Sequence, residues 1–196
     1  MMDIKVLFSK IQTPEELLNF MSKNINNGYL GKSGRVYHLE DEDFNNKWFD
    51  DYILEGKDDI LETLYGNCWD QVELERTWFT DNKYEIKTIY EMVKLEYENN
   101  YPTHSFLVFK DEDGNWNWFE NSDLENRGIH KFDSFENLLN FQYNKYVDFL
   151  KTFNIYDEEI KKIIMTEYEK PKTGINVENY LNWVINSKTL EYKKVI

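Results

Sequence analysis

The sequence predicts an α+β fold, and three features of the 196 residues predict it. A helix signal starts at Cys68, two alternating apolar runs flank a glycine turn at Asp113-Gly114, and long helical patterns follow from Ser134. The length suits one sizeable core and is short for two independent ones, so residues 1–196 read as a single domain.

Residues Met1 to Phe8 alternate weakly through Ile4, Val6 and Phe8, which predicts a short strand or extended arm. From Thr13 the pattern is helical. Thr13 can cap, Pro14 fits the first helical position, Glu15 and Glu16 suit the positive end, and Leu17, Leu18, Phe20, Met21 and Ile25 form a buried face that Gly28 ends. Gly31, Lys32, Ser33 and Gly34 read as a turn, because their spacing does not match a phosphate-binding loop. His38 lies in the extended patch RVYHLE with no second ligand to complete a metal set. Asp43 to Leu54 reads as a helical or turn-rich apolar cluster. Lys57 to Tyr65 reads as a short helix, with Asp58 or Asp59 as its cap.

The stretch LYGNCWDQVELERTWF, Leu64 to Phe79, is the most specific in the chain. Gly66 supplies a tight turn, Asn67 is a good N-cap, and Asp70 stands where a carboxylate returns a hydrogen bond in a capping box. Cys68, the only cysteine, therefore opens a helix, where the partial positive charge of the terminus favours a thiolate, the reactive form. Trp69, Val72, Arg76 and Phe79 recur at helical spacing. Glu73, Glu75 and Arg76 read as a surface salt-bridge set, with Arg76 pairing beneath the cleft as the alternative.

Tyr84 to Tyr97 alternates through Ile86, Thr88, Tyr90 and Met92 as a strand, and Glu98, Asn99, Asn100 and Pro102 make the turn into a strand from Thr103 to Lys110. Asp111 to Asn115 is a hairpin signal, Trp116 to Phe119 the returning strand, and Gly128 to Phe132 a short apolar segment. Residues 134–196 read as a mainly helical C-terminal part: one helix from Ser134, a second opened by Asp157 or Glu158 through Ile160, Ile163, Ile164 and Tyr168, and a third around Tyr180 to Ile185. This part is expected to act as a buttress or as a surface for a protein partner or a second copy.

Composition limits the function. Twenty-three Lys and Arg stand against 37 Asp and Glu, a formal net charge of −14, and no basic stripe or zinc-finger spacing offsets it. Such a surface repels phosphate backbones and anionic membranes, so neither nucleic acid nor membrane is expected as a partner. No run approaches the 18 apolar residues or so of a membrane span, and MMDIKVLFSK lacks a signal pattern. One cysteine cannot form an internal disulfide, and a cytoplasmic location fits it.

A cysteine nucleophile needs a base, and the base needs an orienting group. His104 opens the strand THSFLVF, while His130 in RGIHKF is the rival base. With Asp113-Gly114 as a two-residue turn, paired residues sum to 227. Glu120 then lies opposite Leu107 and about 10 Å from His104, at roughly 3.3 Å per residue. A direct bond would need a shifted register or a bulge, so Glu120, Asn121 and Asp123 all stand as candidates for the orienting group.

GNCWDQ at Gly66 to Gln71, THSFLVF at Thr103 to Phe109 and GNWNWFE at Gly114 to Glu120 resemble the core of the transglutaminase-like proteins, a branch of the papain-like cysteine fold. The resemblance covers Leu64 to Glu120. It implies a nucleophile helix packed on an antiparallel sheet, with Cys68 as nucleophile, His104 as acid and base, and Glu120 closing the next strand in place of the usual aspartate. It further implies acyl transfer or amide hydrolysis through a thioester, with a peptide, protein or small amide as substrate and neither cofactor nor metal. The alternative is an inactive peptide- or protein-binding module on the same scaffold. Trp48, Trp69, Trp116 and Trp118 are candidate walls of an aromatic cleft.

Overall fold

The hairpin turn after Lys110 and the β-branched segment at Ile163 organise the computed structural model, which describes residues 3–94, 102–155 and 157–192. Both feed a six-stranded sheet, and the architecture is α+β. Its strands are β3 (Ile86–Val93), β4 (His104–Lys110), β5 (Trp116–Glu120), β6 (Gly128–Phe132), β7 (Ile163–Glu167) and β8 (Lys188–Thr189). Their spatial order is β6-β5-β4-β3-β7-β8, and every pairing is antiparallel. A small ribbon of β1 (Gly28–Leu30) and β2 (Val36–His38) is joined by the expected turn at Gly31 to Gly34. No helix among the described residues is long and apolar enough to cross a membrane.

Strand alternation divides the core between two faces. Ile89, Phe106, Val108, Trp116, Trp118 and Met165 lie under α6 (Phe135–Thr152), whose Leu138, Leu139, Tyr143, Tyr146 and Leu150 complete that cluster. Leu107, Phe109 and Phe119 point the other way, onto Leu74, Trp78 and Phe79 of α5 (Cys68–Asp81). Behind α5, α1 (Ile4–Phe8), α2 (Pro14–Asn24) and α4 (Lys57–Thr63) add Phe8, Leu17, Phe20, Met21, Ile60 and Leu61. Beside the start of α5 an aromatic cluster joins Tyr29, Tyr52, Trp69, Tyr90 and Tyr180, supported by α3 (Phe44–Asp51) and α8 (Val177–Ile185). The short α7 (Asp157–Ile160) links α6 to β7.

Several elements differ from the sequence reading. Residues 4–8 are helical rather than extended, because Asp3 caps them by accepting from the Lys5 N–H. The cap of α4 is Gly56; Asp59 serves it by accepting the Gly56 N–H. Helix α2 stops at Asn24, before Gly28, which lies in β1. The second C-terminal helix is one turn long, and Ile163 to Glu167 is a strand paired with β3, with Ile164 opposite Met92. The C-terminal part carries the helices α6, α7 and α8, and its strands β7 and β8 extend the central sheet. In the turn expected between β3 and β4, Glu98, Asn99 and Asn100 fall outside the described residues, as do Leu95 and Tyr97.

The hairpin register differs too. Asp111 to Asn115 form a longer loop, closed by the Asp111 N–H donating to the Asn115 carbonyl, with Gly114 at a φ of 86°. Leu107 pairs with Phe119 and Lys110 with Trp116, so paired numbers sum to 226 rather than 227. A one-residue shift moves a side chain to the opposite face. Continuing the ladder puts Glu120 opposite Phe106 and on the face of His104, the diagonal neighbour two residues away.

Candidate active site

Asn67 builds the start of α5, where Cys68 lies. Its Oδ1 accepts from the N–H groups of Trp69 (2.7 Å) and Asp70 (3.4 Å), while Asp70 Oδ2 accepts the Asn67 N–H at 3.0 Å. This is the expected capping box, and Cys68 is the first residue of α5. The cap takes the next two N–H groups and leaves that of Cys68 outside it. Cys68 is partly exposed and packs against the aromatic cluster.

His104 is the first residue of β4. By alternation it sits with Phe106 and Val108, on the face opposite the one α5 covers. Thiol and ring therefore meet around the end of the strand, which is possible because each residue opens its element. There the ring feels the Cys68 thiol, and His104 Nε2 lies 2.8 Å from Glu120 Oε2. With Nε2 engaged by the carboxylate, Nδ1 is the nitrogen left for the thiol. Burial works against charge on the ring. The Glu120 carboxylate, the Cys68 thiol and the Glu120 hydrogen bond outweigh it, and the ring is held well above its ordinary value. Burial likewise opposes charge on Glu120, but His104 and hydrogen bonds from the Asp123 N–H (2.8 Å) and Ser122 Oγ (2.9 Å) keep the carboxyl below its usual range. The pair is thus an imidazolium against a carboxylate.

The structure brings together Cys68, His104 and Glu120. Of the other candidates for orienting the ring, Asn121 turns away and donates to Gln71 Oε1 at 2.7 Å, and Asp123 pairs with Lys145 at 3.0 Å. His130 stacks on Trp118 with ring centroids 4.6 Å apart, and its Nε2 bonds the Asn126 carbonyl. It ties β6 to β5 and to the loop before it. His38 meets Tyr65 edge-on, and no group of His, Cys, Asp and Glu among the described residues could hold a metal.

The expected cleft walls divide. Trp69 is buried, stacks on Tyr180 at 4.3 Å and meets the half-buried Trp48 at 5.2 Å, all in the cluster that Cys68 touches. Trp116 and Trp118 belong to the core under α6. Glu73, Glu75 and Arg76 on α5 are interior rather than on the surface. Arg76 Nε lies 3.1 Å from a Glu73 oxygen, its plane covers Tyr168, and both partners are buried. Glu75 is separate, and burial, followed by the charge of Glu120, pushes its carboxyl well above the usual carboxylate range.

Sequence reasoning missed two groups. One is Glu55 with Asp70, both buried. Asp70 Oδ1 accepts from Tyr52 Oη (2.7 Å) and the Glu55 N–H (2.9 Å). Burial, then the charge of Asp70, pushes the Glu55 carboxyl up to about 9. The other is Gln71, one helical turn after Cys68 and fully hydrogen-bonded at its amide nitrogen. Its spacing from Cys68 was the available signal. No model of a known protein family matches the chain, and no curated protein matches it.

Proposed function

We propose that the protein is a cysteine-dependent acyltransferase or amidohydrolase on a transglutaminase-like, papain-like scaffold, acting on an amide of a peptide, protein or small molecule. The observation that carries this reading is the His104–Glu120 hydrogen bond, with its ring beside a partly exposed Cys68 that opens a capped helix. A single thiol of this kind suits a reducing, cytoplasmic setting.

In the resting site, imidazolium at His104 favours thiolate at Cys68, and Glu120 holds the ring's orientation and charge. The sulfur adds to the amide carbonyl carbon, and the oxygen takes up negative charge. The backbone N–H of Cys68, outside the cap and at the positive helix terminus, is placed to receive it. Collapse of the adduct breaks the C–N bond, the amine leaves with the proton from His104, and a thioester remains. Water or an acceptor amine then gives its proton to neutral His104 while it attacks the thioester carbon. Release of the thiolate returns the site to its starting charge.

The test supplies a blocked glutaminyl peptide and hydroxylamine, with hydroxamate as the readout. Wild-type protein is expected to form hydroxamate or to release ammonia, and to be labelled once, at Cys68, by a chloroacetamide probe. Cys68→Ala, folded by circular dichroism, is expected to do neither. Turnover or equal labelling in Cys68→Ala would remove the nucleophile from this proposal.

A further inference from the structure

Cys68 and Glu120 stand on a helix and on a strand end, and a reacting geometry requires those two elements to keep a fixed distance. Apolar packing is forgiving of small slides, whereas short hydrogen bonds are directional. Gln71 supplies such bonds. Buried one turn beyond Cys68, it donates from Nε2 to the Gly66 carbonyl (2.8 Å) and to Asn27 Oδ1 (3.1 Å), and accepts at Oε1 from Asn121 Nδ2 (2.7 Å). Asn27 in turn donates to the Ser122 carbonyl at 3.3 Å, and Arg127 Nε donates to the Asn121 carbonyl at 3.0 Å. Ser122 Oγ closes the ring on Glu120 Oε1 at 2.9 Å. The two residues that follow Glu120 are therefore held by two amides, one from the nucleophile helix and one from the loop after α2.

We propose that Gln71 is a positioning residue that locks the Gly66–Cys68 turn to the strand end carrying Glu120, and so keeps thiol, ring and carboxylate aligned. This rests on the acyl-transfer reading of the site. An amide suits the task because its nitrogen supplies both donors and its oxygen the acceptor. A carboxylate lacks the donors, and a thioether lacks both functions.

The experiment follows the rate of iodoacetamide alkylation of Cys68 from about pH 5 to pH 9 in wild type, Gln71→Met, Asn121→Ala, the double variant and Asn27→Ala, with melting temperatures measured alongside. In wild type the rate should stay high toward the acid end. In Gln71→Met the rate near pH 6 should fall about tenfold or more while the alkaline rate changes little, the scale expected when a reacting group loses its alignment. Asn121→Ala should behave alike, and the double variant should be no worse than either single one. If Gln71→Met fails to fold, Asn27→Ala, at a half-buried position, decides by the same shift on a smaller scale. A lowered melting temperature with an unchanged pH profile overturns the inference alone. A wild-type profile of an ordinary thiol overturns the functional reading and this inference with it.

Discussion

Replacing Glu120 by Gln keeps the size and shape of the side chain and removes its charge. The carboxylate oxygen lies 2.8 Å from His104 Nε2, which places the charge centres roughly 4 Å apart. At an effective dielectric near 20 such a pair is worth about 4 kcal/mol. The amide oxygen still accepts a hydrogen bond, so the ring's pKa is expected to fall by a large part of that amount. The folded ring sits above its unfolded value of about 6.5, so its contribution to stability is complete below that pH and is lost as pH rises through the folded value. Glu120 sits below its unfolded value, so its contribution is complete above about pH 4.5 and is lost on acidification through the folded value. Glu120→Gln should therefore cost most stability between about pH 4.5 and 6.5. Ring resonances followed by NMR through a pH titration read the shift directly, and a His104→Gln spectrum assigns the peak among the three histidines. A midpoint that moved by less than about half a unit would refute Glu120 as the source of the ring's charge.

Three further outcomes follow from the same geometry. Glu55 is held up to about 9 chiefly by burial, so the folded state keeps a proton that the unfolded chain has lost, and stability falls as pH rises from about 4.5 toward 9. Glu55→Gln should remove up to about 1.4 kcal/mol per pH unit of that slope and be the more stable form at pH 8.5 in urea unfolding; equal stability there would mean the carboxyl is ionised without penalty. Arg76→Met strands Glu73 in the interior and should cost about 3–5 kcal/mol, much of it recovered by adding Glu73→Gln, as a double-mutant cycle in denaturant would show. Asn67→Ala removes the cap of α5 and should cost about 1 kcal/mol in the same assay, and should slow alkylation of Cys68 near neutral pH. Loss of stability with unchanged alkylation would show that the helix terminus does not activate the thiol.

Features legible in the sequence were those set by neighbours in the chain. Asn67 and Asp70 are three residues apart and close their box without help from elsewhere. Thr13 with Pro14, Ser134 with Asn137, and Gly114 in its turn are of the same kind. What was not legible depended on partners distant in sequence. Ile160, Ile163, Ile164 and Tyr168 fit a helical period and a buried strand equally well, because a short apolar run serves either. The choice was made by β3, whose Met92 and Val93 offer the unpaired edge that Ile164 and Ile163 complete. The burial of Glu73 and Arg76 has the same origin. Charges on a helix read as solvated until Tyr168, from 92 residues further on, takes the guanidinium from water and caps it with a ring and a carbonyl.

The register of the β4–β5 hairpin shows how one local detail propagates to the site. With a two-residue turn Glu120 faces away from His104. The five-residue loop from Asp111 to Asn115 is selected by side chains within it: Asp111 Oδ1 accepts the Asn115 N–H at 2.8 Å, a bond that the shorter turn cannot make. This slips the partner strand by one residue and turns Glu120 to the imidazole. The longer reach of glutamate over aspartate then spans the diagonal to a ring two positions away, so loop and acid are matched to each other. An Asp111→Ala/Asn115→Ala variant that restored the shorter turn would be expected to leave β5 paired while removing the carboxylate from His104. The ring would then titrate near an ordinary histidine in the NMR experiment above, with the sheet intact by its amide spectrum. A ring that stayed charged to high pH with the register slipped would show that Glu120 is not what holds it.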